Sequence, residues 1–249
     1  MKIVVCIKHV PDVQSERRLE GARLVRGEDD VLNELDENAV EAAVSLVEDL
    51  GGRVVALTMG PEDAEDAVRR ALQMGVDSGV VVSDDDLAGA DVVTTARALA
   101  AAIGRIGGVG PGAGTGDVDL VVTGMASLDA MTSMLPGALA AALHVPALTL
   151  ASSLEAGAEG ITVTRAIGAL KEVLSAPLPA LVSVTDQANE PRYPNFAAMR
   201  AARRKPVDAW DLGDLGIEPR GAAVAVVEAE ERPARQAGII RTDAGEAGR

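Results

Sequence analysis

The chain has 249 residues, 48% hydrophobic and 24% charged, with a formal net charge of −15; that is enough for one large or two small globular domains and unlike a disordered chain. One cysteine (Cys6) and two distant histidines (His9 and His144) exclude a disulfide scaffold and make a dedicated zinc cage unexpected. The excess acid would repel nucleic acid and anionic membrane, no apolar run approaches the ~20 residues of a bilayer span, and IVVCI at residues 3–7 is too short for a signal-peptide core, so a cytoplasmic chain with no membrane insertion is expected.

Residues 2–7 (KIVVCI) form a continuous β-branched run, as expected of a strand covered on both faces. Residues 38–49 carry apolar positions at helical spacing behind the acids Asp36 and Glu37, and Gly51 and Gly52 end them. A strand is predicted over 53–58 and a helix over 62–74, opened by Pro61 and closed by Gly75. A short strand at 79–82, a helix at 91–103, a strand at 118–123 and a helix running on to about Leu143 come next. This alternation predicts an α/β fold: a doubly wound, mostly parallel sheet in a Rossmann-like three-layer arrangement, over residues 1–185. Past Pro146 the pattern changes. Strands are predicted at 147–150, 161–165 and 181–185 without long helices between them, as an addition that finishes the sheet. Residues 186–219 read as a Pro-punctuated extended arm. The Ala-, Glu- and Gly-rich tail at 220–249 is expected to be mobile.

The glycine-rich run 107–116 (GGVGPGAGTG) meets a loose GxGxxA pattern, but it follows a helix and precedes a strand. That order is the reverse of a dinucleotide-binding turn, so the run reads as a connector. Three strand-to-helix turns are better candidates, because ligands of doubly wound sheets sit beyond the carboxyl ends of strands. They are residues 6–12, residues 58–61 with Gly60, and residues 123–125 with Gly124, the last followed by Asp129 and Ser133. Glycine allows close backbone approach, and helix N-termini offer N–H groups to a phosphate. Turn glycines and a capping aspartate would look the same.

All three aromatic residues, Tyr193, Phe196 and Trp210, fall within residues 193–210. Between Arg192 and Lys205 stand five cations (Arg192, Arg200, Arg203, Arg204 and Lys205) and no acid, leaving −20 on the rest of the chain. A solvated helix face is the bland reading of such a strip. The neighbouring Tyr193, Phe196 and Met199 favour a docking element for an acidic partner. No nucleophile–base or paired-carboxylate arrangement stands out, so a cofactor or partner carrier fits better than a self-sufficient catalyst.

Five motifs carry a resemblance: VCIKHVPD (5–12), LNELDENAVEAAV (32–44), LTMGPEDAEDAVRRALQMGVD (57–77), VVTGMASLDAMTSMLPGALAAAL (121–143) and LPALVSVTDQANEPRYPNFAAMRAARRKPV (178–207). In order and spacing the chain resembles the beta subunit of electron transfer flavoprotein over about residues 1–219. The resemblance implies a non-catalytic electron carrier in a heterodimer with an alpha subunit that holds most of the FAD. It further implies a structural AMP in this chain, with acyl-CoA or other flavin dehydrogenases as donors and a quinone oxidoreductase or another acceptor downstream. By this likeness the AMP contacts map to Cys6, Asn33, Met59, Gly60, Gly124, Asp129 and Ser133, and positions near FAD to Val13 and Leu35. The docking anchor maps to Phe196, with Tyr193, Met199, Arg200, Arg203, Arg204 and Lys205 around it. Two departures stand out: Met131, Met134 and Leu135 replace side-chain phosphate donors, and Phe196 is bulkier than the usual aliphatic anchor. An electron-bifurcating subunit with a second FAD and NADH, and a stand-alone adenine-nucleotide-binding module, remain the alternatives.

Overall fold

The computed structural model of the chain describes residues 1–109, 118–157, 160–233, 235, 236 and 238. In chain order, β1 (Lys2–Cys6) leads into a ribbon of β2 (His9–Pro11) with β5 (Asp30–Leu32), and β3 (Leu19–Glu20) with β4 (Arg23–Leu24) form a small hairpin between them. Then come α1 (Glu34–Leu50), β6 (Arg53–Met59), a 3-10 turn at Glu62–Ala64 running into α2 (Glu65–Gln73), β7 (Ser78–Val82), α3 (Val92–Ile106), β8 (Leu120–Gly124) and α4 (Leu135–Leu143). β9 (Ala147–Ala151), β10 (Ser153–Gly157), β11 (Gly160–Ile167), β12 (Leu170–Ala176), β13 (Ala180–Val184), α5 (Phe196–Ala202) and β14 (Val207–Trp210) complete the order. Contacts divide the chain into a main unit, residues 1–16 and 26–225, and a small one, residues 17–25 and 226–249.

The predicted parallel sheet is present with seven strands in the order β14-β7-β6-β1-β8-β13-β9, every neighbouring pair parallel. β1 sits at its centre because all five of its residues are buried, as its unbroken apolar run demands. Alternation divides its side chains: Ile3 and Val5 pack with α1 and α2, and Val4 and Cys6 with α3 and α4. Helices thus cover both faces. The core is made of Ala, Val, Leu and Ile, as the scarcity of aromatics requires.

Local chemistry sets several helix boundaries. The Asp91 side chain caps α3 by accepting from the Thr94 N–H at 2.8 Å. Asn33 stands at the N-cap of α1 with Glu34, Asp36 and Glu37 in the first turn, so this helix starts earlier than its apolar periodicity alone indicates. The helix expected directly after β8 begins only at Leu135. Residues 126–134 form a loop instead, with left-handed backbone at Met131 (φ 51) and Ser133 (φ 53).

Two further expectations are corrected. The strand predicted at 161–165 does not finish the main sheet; it is the middle of a separate antiparallel sheet, β10-β11-β12, whose inner face (Leu154, Ile161, Val163, Leu174) packs on the main core. Its flanking strands escape a sequence reading because their outer positions are polar or exposed. The arm at 186–219 is also more structured than expected: residues 196–202 are helical, and 207–210 pair with β7 as the edge strand of the main sheet. Trp210 there packs on the α3 side under the Arg105 guanidinium, 4.9 Å from the ring centroid. The connector expected at 107–116 lies, from Gly110 on, outside the described residues. So do 234, 237 and 239–249 of the tail expected to be mobile; its residues 220–233 are exposed, without helix or strand.

Thr58, one residue before the end of β6, is fully buried, and its hydroxyl has no hydrogen-bond partner among the described residues. Such a group is destabilising. Thr58→Val keeps the β-branched shape without the polar atom and is expected to stabilise the chain by ~1 kcal/mol, read as a higher urea midpoint at unchanged slope.

Candidate functional site

The carboxyl ends of β6, β1 and β8 lie side by side, because the sheet orders these strands consecutively. The chain moves outward from β1 to β6 and β7 on one side and reaches β8 on the other, so the order reverses between β1 and β8. That is where a doubly wound sheet offers its ligand crevice. Cys6, Met59 and Gly124 end these strands, Gly60 follows Met59, and Asn33 and Leu35 come from the start of α1 beside them.

Asn33 is the knot of this region. Its side chain donates to the Ala126 carbonyl at 2.9 Å and accepts from the Leu128 N–H at 3.0 Å, and its backbone N–H donates to the Lys8 carbonyl at 2.9 Å. It therefore joins the β1 turn, the start of α1 and the loop after β8. Asp36, one turn further along α1, accepts from the Lys8 N–H at 2.8 Å and from the backbone of Gly124. Burial pushes its carboxyl up to about 7 against these donors. Burial, with Asp36 nearby, also pushes the Cys6 thiol up to about 12, so Cys6 is a packed apolar residue and not a nucleophile.

Gly124 is required by contact. A Cβ there would lie 2.8 Å from the Leu35 carbonyl oxygen and against the Asp36 carboxylate. At Gly60 a Cβ would meet the Cβ of Ala64 at 2.9 Å, and the Gly60 N–H donates to the Val82 carbonyl.

Asp129 has a side chain only 1% exposed. Lys8 Nζ donates to both its oxygens, at 2.8 and 3.1 Å, and Arg26 donates to one of them. Burial opposes its ionisation, but the Lys8 charge and hydrogen bonds from Lys8, Arg26 and Ser127 prevail and hold the carboxyl down at about 2. Two cations against one carboxylate leave a local +1 on an acidic chain. Lys8 and Arg26 were not singled out from the sequence. The available signal was weak: Lys8 is one of four lysines and lies in the first strand-end turn. Arg26 sits in a stretch without periodicity.

Asn33 and Asp129 thus have their polar atoms engaged within the chain, and they shape the 126–134 loop. Ser133 lies exposed on that loop between Met131 and Met134, both more than half exposed. Val13 is exposed and Leu35 half-buried. His9 is buried with neither ring nitrogen hydrogen-bonded among the described residues, its Nδ1 4.0 Å from Asp30; His144 ends α4 in a left-handed conformation.

The docking candidates form a separate group. Tyr193 and Phe196 are 88% and 87% exposed, Arg200, Arg203 and Arg204 are exposed, and Met199 is half-buried. Two of the five cations in the strip are engaged at its ends. Arg192 binds Glu41 and Glu48 of α1. Lys205 donates to the carbonyls of Leu72 and Val76 at 3.2 and 2.5 Å, closing the C-terminus of α2. Lys205 is thereby a fold residue as well as a member of the strip.

A family model described as the electron transfer flavoprotein domain matches residues 22–215. An electron transfer flavoprotein subunit beta of Mycobacterium leprae is 37% identical over 259 residues, covering 99% of this chain and 94% of that protein. The chain belongs to the electron transfer flavoprotein beta-subunit family. Protein FixA of Rhizobium meliloti is 36% identical, over 87% of this chain and 74% of FixA. The caffeyl-CoA reductase-Etf complex subunit CarD of Acetobacterium woodii is 31% identical, over 90% and 83%. The family's function is electron transfer. No helix among the described residues is long and apolar enough to cross a membrane.

Proposed function

We propose that this chain is the beta half of a heterodimeric electron carrier. It holds AMP at the carboxyl ends of β6, β1 and β8, completes a flavin cleft with an alpha subunit, and presents the exposed segment 193–204 to flavin dehydrogenases. The observation that carries this reading is the coincidence of three adjacent strand ends, two of them marked by glycine, their order reversal and a net-cationic cluster in a chain of this family. The residues fit an adenosine phosphate. Gly60 and Gly124 let Ala64 and the start of α1 close in on the strand ends, Ser133 offers a hydroxyl, and the Lys8–Arg26 pair, held by Asp129, attracts an anion. Asn33 and Asp129 act through the 126–134 loop they hold. FAD, held mainly by the alpha subunit, supplies the redox chemistry; this chain lends it the apolar Val13 and Leu35. AMP has a structural role in this arrangement, and electrons arriving from a dehydrogenase leave to a quinone oxidoreductase or another acceptor.

Co-expression with an alpha subunit, followed by release and identification of nucleotides, tests this. One FAD and one AMP per 1:1 heterodimer is the expected content. Two FAD and no AMP would favour the bifurcating alternative, and a colourless chain that pairs with no alpha subunit would overturn the proposal.

A further inference from the structure

One helix serves both regions of the molecule. The first turn of α1 carries Asn33 and Asp36 to the strand ends. Its later turns receive the chain that leads into the exposed segment. Asn38 donates to the Asn189 backbone and side-chain oxygens at 3.0 and 3.1 Å, and Asn189 donates back to the Asn38 carbonyl at 3.0 Å. Glu41 and Glu48 are seven residues apart, two helical turns, so they stand one above the other. Arg192 spans both. Its Nε and Nη2 reach Glu41 at 2.8 and 3.0 Å, Nη1 and Nη2 reach Glu48 at 2.7 and 2.8 Å, and its backbone N–H also donates to Glu41 at 3.0 Å. The Tyr193 ring next to it lies under Arg70, 5.6 Å from the centroid, and Arg70 is itself bonded to Glu37 of α1 at 3.1 Å. At the far end Lys205 is held by the C-terminus of α2. The exposed Tyr193 and Phe196 therefore lie in a segment pinned at both ends.

We propose that Arg192, acting through Glu41 and Glu48 of α1, is the positioning residue that holds segment 193–202 in its docking-competent arrangement relative to the strand-end site. The inference rests on the docking role proposed above. A planar guanidinium bound to two carboxylates fixes direction as well as distance, which a point charge does not. When it is lost, the segment samples other arrangements, and apparent affinity for a partner falls in proportion to the competent fraction. Capture of the flavin and the nucleotide does not use this contact.

The test compares heterodimers carrying Arg192→Gln, Glu41→Gln with Glu48→Gln, and Phe196→Ala, with Arg192→Lys as the conservative variant. Each is reduced by the acyl-CoA dehydrogenase that couples best to the unmodified heterodimer. Arg192→Gln and the double glutamine variant are expected to raise KM for the dehydrogenase by ~tenfold, as when the competent fraction drops to ~0.1, with kcat and flavin content unchanged. Amide exchange over 193–202 should accelerate in parallel, and Arg192→Lys should fall between. A higher KM in the double glutamine variant carries the inference by itself, because neither position lies on the segment. If Phe196→Ala raises KM and the double glutamine variant does not, the inference fails and the docking role stands. If none of the variants changes KM, the docking role fails and the inference with it.

Discussion

Gly124→Ala should be the more damaging of the two single-methyl additions at the strand-end glycines Gly60 and Gly124. The new Cβ would lie 2.8 and 2.9 Å from the Leu35 carbonyl oxygen and carbon, and against the Asp36 carboxylate. Two of these atoms are backbone, and the third belongs to a buried carboxylate whose other oxygen is held by the Lys8 N–H, so side-chain rotation does not relieve the overlap. The start of α1 would have to move off β8, drawing Asn33 from Ala126 and Leu128 and releasing the loop that ends at Met134. A loss of about 3 kcal/mol is expected from this overpacking, with loss of nucleotide from whatever heterodimer still assembles. Gly60→Ala is the matched control, because its Cβ meets only the methyl of Ala64; a loss of about 1 kcal/mol is expected there. Urea denaturation of both variants and the nucleotide content of their heterodimers measure the contrast. Equal stabilities would remove the packing argument for Gly124.

The second large effect is on the pH dependence of stability. Asp129 is held at about 2, below its ordinary 3.8, so the fold prefers its ionised form. Its contribution is complete above pH ~4 and is lost as pH falls toward 2. The shift corresponds to ~2 kcal/mol, reduced to ~1 because Lys8 and Arg26 are each a third or more exposed and water screens them. Asp36 works in the opposite sense. Its native value of about 7 lies above the ordinary 3.8, so the native state binds the extra proton and this group's contribution declines as pH rises from about 4 to about 7. Asp129→Asn should therefore lose its stability difference from the parent chain as pH drops from 4 to 2. Asp36→Asn, which forfeits one acceptor at every pH, should compare better with the parent at pH 8 than at pH 4. Denaturation midpoints from pH 2 to 8 decide both, and a pH-independent difference for either variant would refute the corresponding assignment.

The strands β1, β6, β7 and β8 and the helices α1, α2 and α3 were legible because each announces itself locally, whereas the short pairs within residues 9–32 were not. Residues 2–7 are apolar throughout, Asp91 can cap only a helix that starts directly after it, and Gly51 and Gly75 end the helices before them. The three strand ends and the exposed aromatic segment were legible for the same reason. The meander β10-β11-β12 was not, because Leu170 and Val173 are exposed and an alternating pattern does not say which sheet a strand joins. Nor was β14, whose four residues become a strand only against the edge of β7.

What the residues alone determined was the kind of chain: an aromatic-poor α/β core, glycines at strand ends, a cationic strip on an acidic protein and the motifs of its family. Only the tertiary structure decided what the charged and polar side chains do. Asp129 meets Lys8 and Arg26 across 121 and 103 residues, and Arg192 meets Glu41 across 151. Lys205, one cation among five in the strip, closes a helix. Secondary structure is set by neighbours along the chain. Ion pairing, burial and close approach depend on distance in space, and the fold sets that distance.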